Sequence, residues 1–84
     1  MGLSDVAEKL AKYRTRLAAG QTERIKPAHV DKIIDKLSDK RQHLIEDLAR
    51  RTSEQDRALL QRRIAKLDEL IEQAHWLRRE IEQD

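Results

Sequence analysis

The 84-residue sequence predicts an all-α fold, and three observations support that prediction. Charged residues make up 40% of the chain, only two glycines and one proline are present, and apolar residues recur at helical spacing. So few turn-forming residues exclude a β-sandwich or β-barrel. The absence of cysteine excludes disulfides and thiolate metal sites. We therefore predict one domain over residues 1–84, a three-helix arrangement with an antiparallel, coiled-coil-like helical hairpin and a shorter N-terminal helix.

The first helix is predicted at residues 3–19, followed by a connection at 20–26. Its apolar residues recur every three or four positions, as one face of a helix requires. They are Leu3, Val6, Leu10, Tyr13 and Leu17. Ser4 is placed to cap the N-terminus, and Gly20 stands where a left-handed C-terminal cap is expected.

The second helix is predicted at residues 27–51, with Pro27 in its first turn, where the missing N–H costs nothing. Its apolar residues are Val30, Ile33, Ile34, Leu37, Leu44, Ile45 and Leu48. Ser53 and Asp56 resemble a capping box, which predicts that a new helix begins near residue 54. Because no glycine or proline lies near residues 52–54, one continuous long helix is the alternative.

The third helix is predicted at residues 54–83, where a heptad pattern is sustained for three repeats. Its positions are Leu60, Ile64, Leu67, Ile71, Ala74, Arg78 and Ile81. Leu59, Leu70 and Leu77 widen the apolar face, which favours a bundle over a two-stranded rod. An antiparallel turn at residues 52–53 brings the two apolar faces into phase and places Leu37 opposite Leu67.

A protein interface is predicted near the tip of this hairpin, because the first helix is too short to cover helices of about 37 Å. Contiguous exposed apolar residues usually mark interaction sites. The predicted interface residues are Leu44, Ile45, Leu48, Leu59, Leu60 and Trp76. For Trp76, packing against the first helix is the alternative. We expect a non-catalytic protein–protein interaction module, such as an adaptor, inhibitor or small regulatory protein, acting as a homodimer or as a subunit of a complex.

Two clusters of basic residues are candidates for contacts with phosphate or with an acidic partner. Arg50, Arg51, Arg57, Arg62 and Arg63 crowd the hairpin tip, and Lys12, Arg14 and Arg16 lie in the first helix. A nucleic-acid-associated protein is therefore the alternative function. Against it, acidic residues share the tip and no aromatic residues are interleaved for base stacking. The basic first helix also has another explanation, which is intramolecular or intersubunit charge complementarity with the acidic residues 68–84.

Catalysis is not expected, because the sequence contains no metalloprotease motif, phosphate-binding loop or Ser/His/Asp set. His29 and His75 come close in the hairpin register and could hold a metal with Asp31 or Glu72, but we interpret them as exposed residues beside the apolar face. We expect no cofactor, no metal and no small-molecule substrate. No apolar run is long enough to span a membrane and no secretory signal is visible, so a cytoplasmic location is expected.

Overall fold

Residues 3–82 fold into three α-helices, and the predicted all-α hairpin fold is confirmed. The computed structural model describes residues 3–82, and side chains from residue 4 onwards. Helix α1 spans Leu3–Ala18, α2 spans Pro27–Arg50 and α3 spans Glu54–Glu82, with a 3₁₀ turn at Thr22–Arg24. Residues 3–82 contain no strand. Gln83, the predicted last residue of the third helix, lies outside the described residues.

Helices α2 and α3 pack against each other as an antiparallel hairpin, so the continuous-helix alternative is wrong. The chain leaves the helical conformation at Arg51, which caps α2 with an extended backbone (φ −85°, ψ 139°). The α3 hydrogen-bonding pattern then starts with the Arg57 N–H, which donates to the Ser53 carbonyl at 3.0 Å. Leu37 and Leu67 are 1% and 0% exposed in one cluster, as the predicted register requires.

Two arginines at heptad positions are paired with carboxylates across the hairpin. Arg41 donates to Asp68, and Arg78 donates to Asp31 at 2.9 Å. Each aspartate lies one helical turn beyond the residue that directly faces its arginine, so both pairs report the same register. Nη1 of Arg78 also lies 2.8 Å from Oε1 of Glu82, in an ion pair whose angles do not make a hydrogen bond. The long arginine stems thus carry their charges to the edge of the interface.

Helix α1 ends in a Schellman motif built around Gly20. The Gly20 N–H donates to the Leu17 carbonyl at 3.1 Å, and the Gln21 N–H donates to the Arg16 carbonyl at 2.8 Å. Gly20 has φ +74°, in the left-handed region that favours glycine. The predicted cap is therefore confirmed. It makes Ala19 the C-cap, so the helix ends one residue earlier than predicted.

The connection between α1 and α2 contributes to the core, which the sequence analysis did not predict. Ile25 is 2% exposed and belongs to the main apolar cluster. The 3₁₀ turn before it is closed by the Ile25 N–H, which donates to the Thr22 carbonyl at 3.0 Å. This turn brings an apolar side chain back under α1 just before Pro27 starts α2.

The buried core is confined to one half of the hairpin. We call residues 27–37 and 67–82 of the hairpin the open half, and residues 38–66 the tip half. The main cluster joins α1 and the connection to the open half, and its buried members are Val6, Leu10, Ile25, Val30, Ile33, Leu37, Leu67, Leu70, Ala74 and Leu77. Within residues 38–66 the single buried side chain is Leu60. Among the helices of residues 3–82, none has the length and apolarity needed to cross a bilayer.

Candidate functional site

Apolar side chains without a covering helix lie in the tip half. Leu59 is 48% exposed, and Leu44, Ile45 and Leu48 are half-buried. We call these four residues the tip surface. Leu60, which the sequence analysis placed with them, is only 6% exposed, because its side chain is buried in the hairpin itself. It therefore stabilises the tip and is not available to a partner.

Helix α1 stops short of this surface for a geometric reason. The connection to α2 is short, so α1 folds back antiparallel to α2 from the open end. Its 16 residues extend about 24 Å, against about 36 Å for the 24 residues of α2. The surface groove shared by α1 and α2 extends along α2 no farther than Lys36. The part of α2 in the tip half, residues 38–50, lies beyond that groove.

A groove of about 310 Å³ follows on the tip side. We call it the tip groove, and its lining residues are Lys40, His43, Leu44, Arg63 and Leu67. Leu44 and Leu67 are apolar residues of the hairpin interface, whereas the other three side chains carry nitrogen donors. The Nδ1–H of His43 donates to the Asp39 carbonyl at 2.7 Å. This bond uses Nδ1 and does not involve Nε2. No carboxylate lines the groove.

Two of the five tip arginines are used within the fold. Nη1 of Arg57 donates to the Leu48 carbonyl at 2.8 Å and to the Arg51 carbonyl at 3.2 Å. The Leu48 carbonyl also accepts from the Arg51 N–H at 3.2 Å, so Arg57 adds a second donor there and supplies one to the Arg51 carbonyl in the turn. Arg51 lies 3.2 Å from Asp47 and 3.8 Å from Asp56, and so bridges the two helices. Both side chains therefore stabilise the turn.

The other three tip arginines remain candidates for external contacts. Arg50, Arg62 and Arg63 form no ion pair with any residue from 3 to 82, and all three are exposed. Of these, Arg63 alone lines both the tip groove and a smaller depression beside Leu59 and Leu60. Arg63 is thus the unpaired cation closest to uncovered apolar side chains.

Trp76 does not lie with the tip surface. It is 41% exposed and sits in the open half, between α3 and the Ala11, Arg14 and Thr15 side of α1. A wide, open depression next to it also includes Arg14 and Glu72, which do not form an ion pair. The residues of the predicted interface therefore lie in two separate parts of the hairpin. Trp76 lies beside the first helix, as the alternative prediction had it, and is still partly exposed.

The basic residues of α1 do not extend the tip cluster. Lys12, Arg14 and Arg16 lie in the second half of α1, at the opposite end of the hairpin from the tip arginines. The Arg16 guanidinium lies 5.5 Å from the centre of the Tyr13 ring, in a cation–π contact. Its Nη1 also donates to the Arg24 carbonyl at 3.5 Å. The two clusters therefore cannot form one continuous basic surface.

The histidines are not brought together. His29 lines a groove between α1 and α2 with Val6 and Ile33, whereas His75 lines the depression next to Trp76. Nowhere in residues 3–82 do three or more histidine and acidic side chains group closely enough to hold a metal ion. The structure gives no support to the His29–His75 metal pair.

Sequence reasoning missed two residues of the tip groove, Lys40 and His43. The sequence signal that could have identified Lys40 is its position seven residues after Ile33. Residues seven apart lie on the same side of a heptad-patterned helix. Comparison of the chain with family models, curated proteins and solved structures gives no match. The function is consequently inferred from the geometry of the tip half alone.

Proposed function

We propose that the protein is a non-catalytic interaction module that binds another protein, or a second copy of itself, through the tip surface. One observation carries the proposal. The apolar residues that widen the hairpin face are covered in the open half, where Ile33, Leu70 and Leu77 are 6%, 4% and 0% exposed. The equivalent residues of the tip half, Ile45 and Leu59, lie outside the main cluster.

The energetic reason is the cost of apolar surface in water, about 25 cal/mol for each Å². A small helical chain has few apolar residues to use, and this one places Ile45, Leu48 and Leu59 outside its main core cluster. Contiguous exposed apolar side chains with a polar rim are typical of protein interaction sites. Arg50, Arg62 and Arg63 supply such a rim. A partner that covers the tip surface would bury these side chains without any rearrangement of α1.

The test is the double variant Ile45→Asp with Leu59→Asp, which places two charges on the tip surface. Because neither residue belongs to the main cluster, we expect the helical circular dichroism spectrum to persist. Light scattering should show loss of any dimer formed by the wild-type chain. In a pull-down, the same variant should lose a partner that the wild-type chain retains.

The matched control is Ala49→Asp with Ala58→Asp, which introduces the same charges on the same helices at exposed positions. We expect this control to keep the wild-type mass and partner. A helical Ile45/Leu59 variant with unchanged mass and unchanged partner binding would contradict the proposal. Testing Leu59→Asp alone removes the concern that the half-buried Ile45 is needed for folding.

Nucleic-acid binding is the second candidate, and the unpaired Arg50, Arg62 and Arg63 are the observation that favours it. The acidic side chains at the turn oppose it, because Asp47 and Asp56 stand next to Arg51 and would repel phosphate. A gel-shift assay at increasing salt separates the two functions. Phosphate binding must weaken steeply as salt rises, whereas contacts made mainly by leucines should change little.

A further inference from the structure

The α2–α3 face that packs under α1 changes its chemistry where α1 stops. On α3, Leu77 and Leu70 are buried, and the next position seven residues back is Arg63. On α2, the buried Ile33 is followed seven residues later by Lys40. Residues seven apart occupy the same side of such a helix. The side of the groove that is apolar under α1 is therefore basic beyond it.

One heptad closer to the turn, the residues at the same positions are acidic. Asp47 follows Lys40, and Asp56 precedes Arg63, both again by seven residues. Arg51 bridges these two aspartates at 3.2 and 3.8 Å. The groove thus runs from an apolar section filled by α1, through the basic tip groove, to an end closed by an internal ion-pair network.

The base of the tip groove stays apolar while its sides are basic. Leu44 and Leu67 continue the hairpin interface, and Lys40, His43 and Arg63 surround them. No carboxylate is in the lining, and Arg63 forms no ion pair with any residue from 3 to 82. An occupant that satisfies both features must bring apolar side chains to the base and carboxylates to the sides.

A helix has suitable dimensions for this groove, because α1 already occupies its continuation between the same two helices. Helices in grooves are recognised through apolar side chains at i, i+3 or i+4, and i+7. We propose, as an extension of the proposed interaction function on which it rests, that the tip groove binds an acidic amphipathic helix of another protein. Its leucine-like residues would lie over the half-buried Leu44, and its carboxylates would pair with Arg63.

Nucleic acid fits the tip groove less well than such a helix. A phosphate backbone is bound through its charges and gains nothing from the apolar base of the groove. No aromatic side chain lines the groove to stack a base. The helix proposal uses both the apolar and the charged part of the lining.

The experiment measures fluorescence anisotropy of a labelled peptide of about 18 residues, designed as an amphipathic helix with leucines on one face and glutamates beside them. A twin peptide carries glutamine at every glutamate position. We expect the acidic peptide to bind the wild-type chain about tenfold more tightly than its twin, since complementary charges beside an apolar contact contribute to affinity and specificity.

Arg63→Glu is the decisive variant, and Arg62→Glu is its matched control. Both replace an exposed, unpaired arginine of α3 with the same residue, but Arg62 does not line the groove. We expect Arg63→Glu to weaken binding of the acidic peptide about tenfold or more and Arg62→Glu to change it less than about twofold. Circular dichroism should show both variants as helical as the wild type.

The outcomes separate this proposal from the more general function. No binding of the acidic peptide, or equal binding of the glutamine twin, would overturn the acidic-helix proposal, while the Ile45/Leu59 test of the interaction function would be unaffected. Equal weakening by both arginine variants would reduce the effect to general charge attraction and contradict the groove. Tighter binding of a labelled DNA duplex, or a wild-type dimer dissociated by Arg63→Glu, would replace the occupant with nucleic acid or a second copy.

Discussion

The open half and the tip half of the hairpin are built from the same two helices, yet they differ in what covers them. In the open half, α1 and Ile25 complete a three-helix core in which Val30, Leu67 and Leu77 are 0% exposed. In the tip half, two helices alone bury Leu60, and Leu59 remains 48% exposed. A two-helix layer cannot surround its own side chains, so burial requires a third element.

The two halves therefore contribute differently to the stability of the fold. Side chains buried on all sides contribute both transfer free energy and packing contacts, so the open half supplies most of the stability. The tip half has polar contacts at the turn, chiefly those of Arg51 and Arg57, and its Leu59 side chain is 48% exposed. If α1 is what makes the open half more stable, substitutions under α1 should cost more stability than the same substitutions in the tip half.

The largest effect is expected for Leu77→Ala, compared with the same change at Leu59. Leu77 is fully buried, and truncation of a buried leucine costs about 2–5 kcal/mol through lost transfer free energy and a cavity. Leu59 is 48% exposed, and its truncation should cost less than about 1 kcal/mol. Urea denaturation followed by circular dichroism measures both changes, since a midpoint shift at constant slope is a change in stability.

Comparable losses at Leu77 and Leu59 would show that the tip half is as well packed as the open half. That result would contradict the division described above. Because a domain of this size has only about 5 kcal/mol of stability to lose, Leu77→Ala could be largely unfolded at 25 °C. Leu77→Val, a smaller truncation, then gives a measurable midpoint for the comparison.

A smaller effect is expected at the turn from Arg57→Met, which keeps an unbranched side chain and removes the guanidinium. The Leu48 and Arg51 carbonyls lose a charged donor, at 2.8 and 3.2 Å in the wild type, and Leu48 keeps only the Arg51 N–H at 3.2 Å. Hydrogen bonds to a charged group contribute about 1.5–3 kcal/mol. Since Arg57 is partly exposed and water can replace it, we expect a loss of about 1–2 kcal/mol in urea denaturation.

Arg62→Met serves as the control for this change, because Arg62 is exposed and forms no ion pair with residues 3–82. It should leave the free energy of unfolding within about 0.5 kcal/mol of the wild type. If both variants behaved alike, the bonds of Arg57 would not stabilise the turn. The contacts left to stabilise the tip half would then be those of Arg51 and Leu60.

Much of the fold could be predicted from the sequence, because the signals are local. The spacing of apolar residues predicted three helices, and Gly20 and Pro27 predicted where α1 ends and α2 begins. The antiparallel register followed from matching two heptad patterns. The role of Ile25 could not be predicted this way, since a single apolar residue in a connection has no periodicity to show which side it faces.

The candidate site was predictable only in part. The imbalance between the length of α1 and the length of the hairpin predicted uncovered leucines at the tip. Composition could not distinguish Arg57, which bonds to carbonyls, from Arg63, which forms no ion pair with residues 3–82. Such roles depend on three-dimensional distances between residues on different helices. For the same reason, Trp76 was grouped with residues from which the fold separates it.

The smallest expected effect concerns Gly20, which sets the direction in which α1 returns along the open half. Gly20→Ala forces a Cβ into the left-handed region at φ +74°, which costs about 1–2 kcal/mol. The added methyl meets no atom within 4 Å, so the cost comes from the backbone alone. Alanine also restricts the unfolded chain, which stabilises the folded protein by about 0.4–1 kcal/mol. We therefore expect a net loss of about 1 kcal/mol in the free energy of unfolding, measured by urea denaturation. Gly20→Asn should lose less, since asparagine tolerates this conformation. Hydrogen exchange should accelerate in α1 and leave the amides of residues 44–50 unchanged, whereas equal acceleration in both places would show that the two halves unfold as one unit.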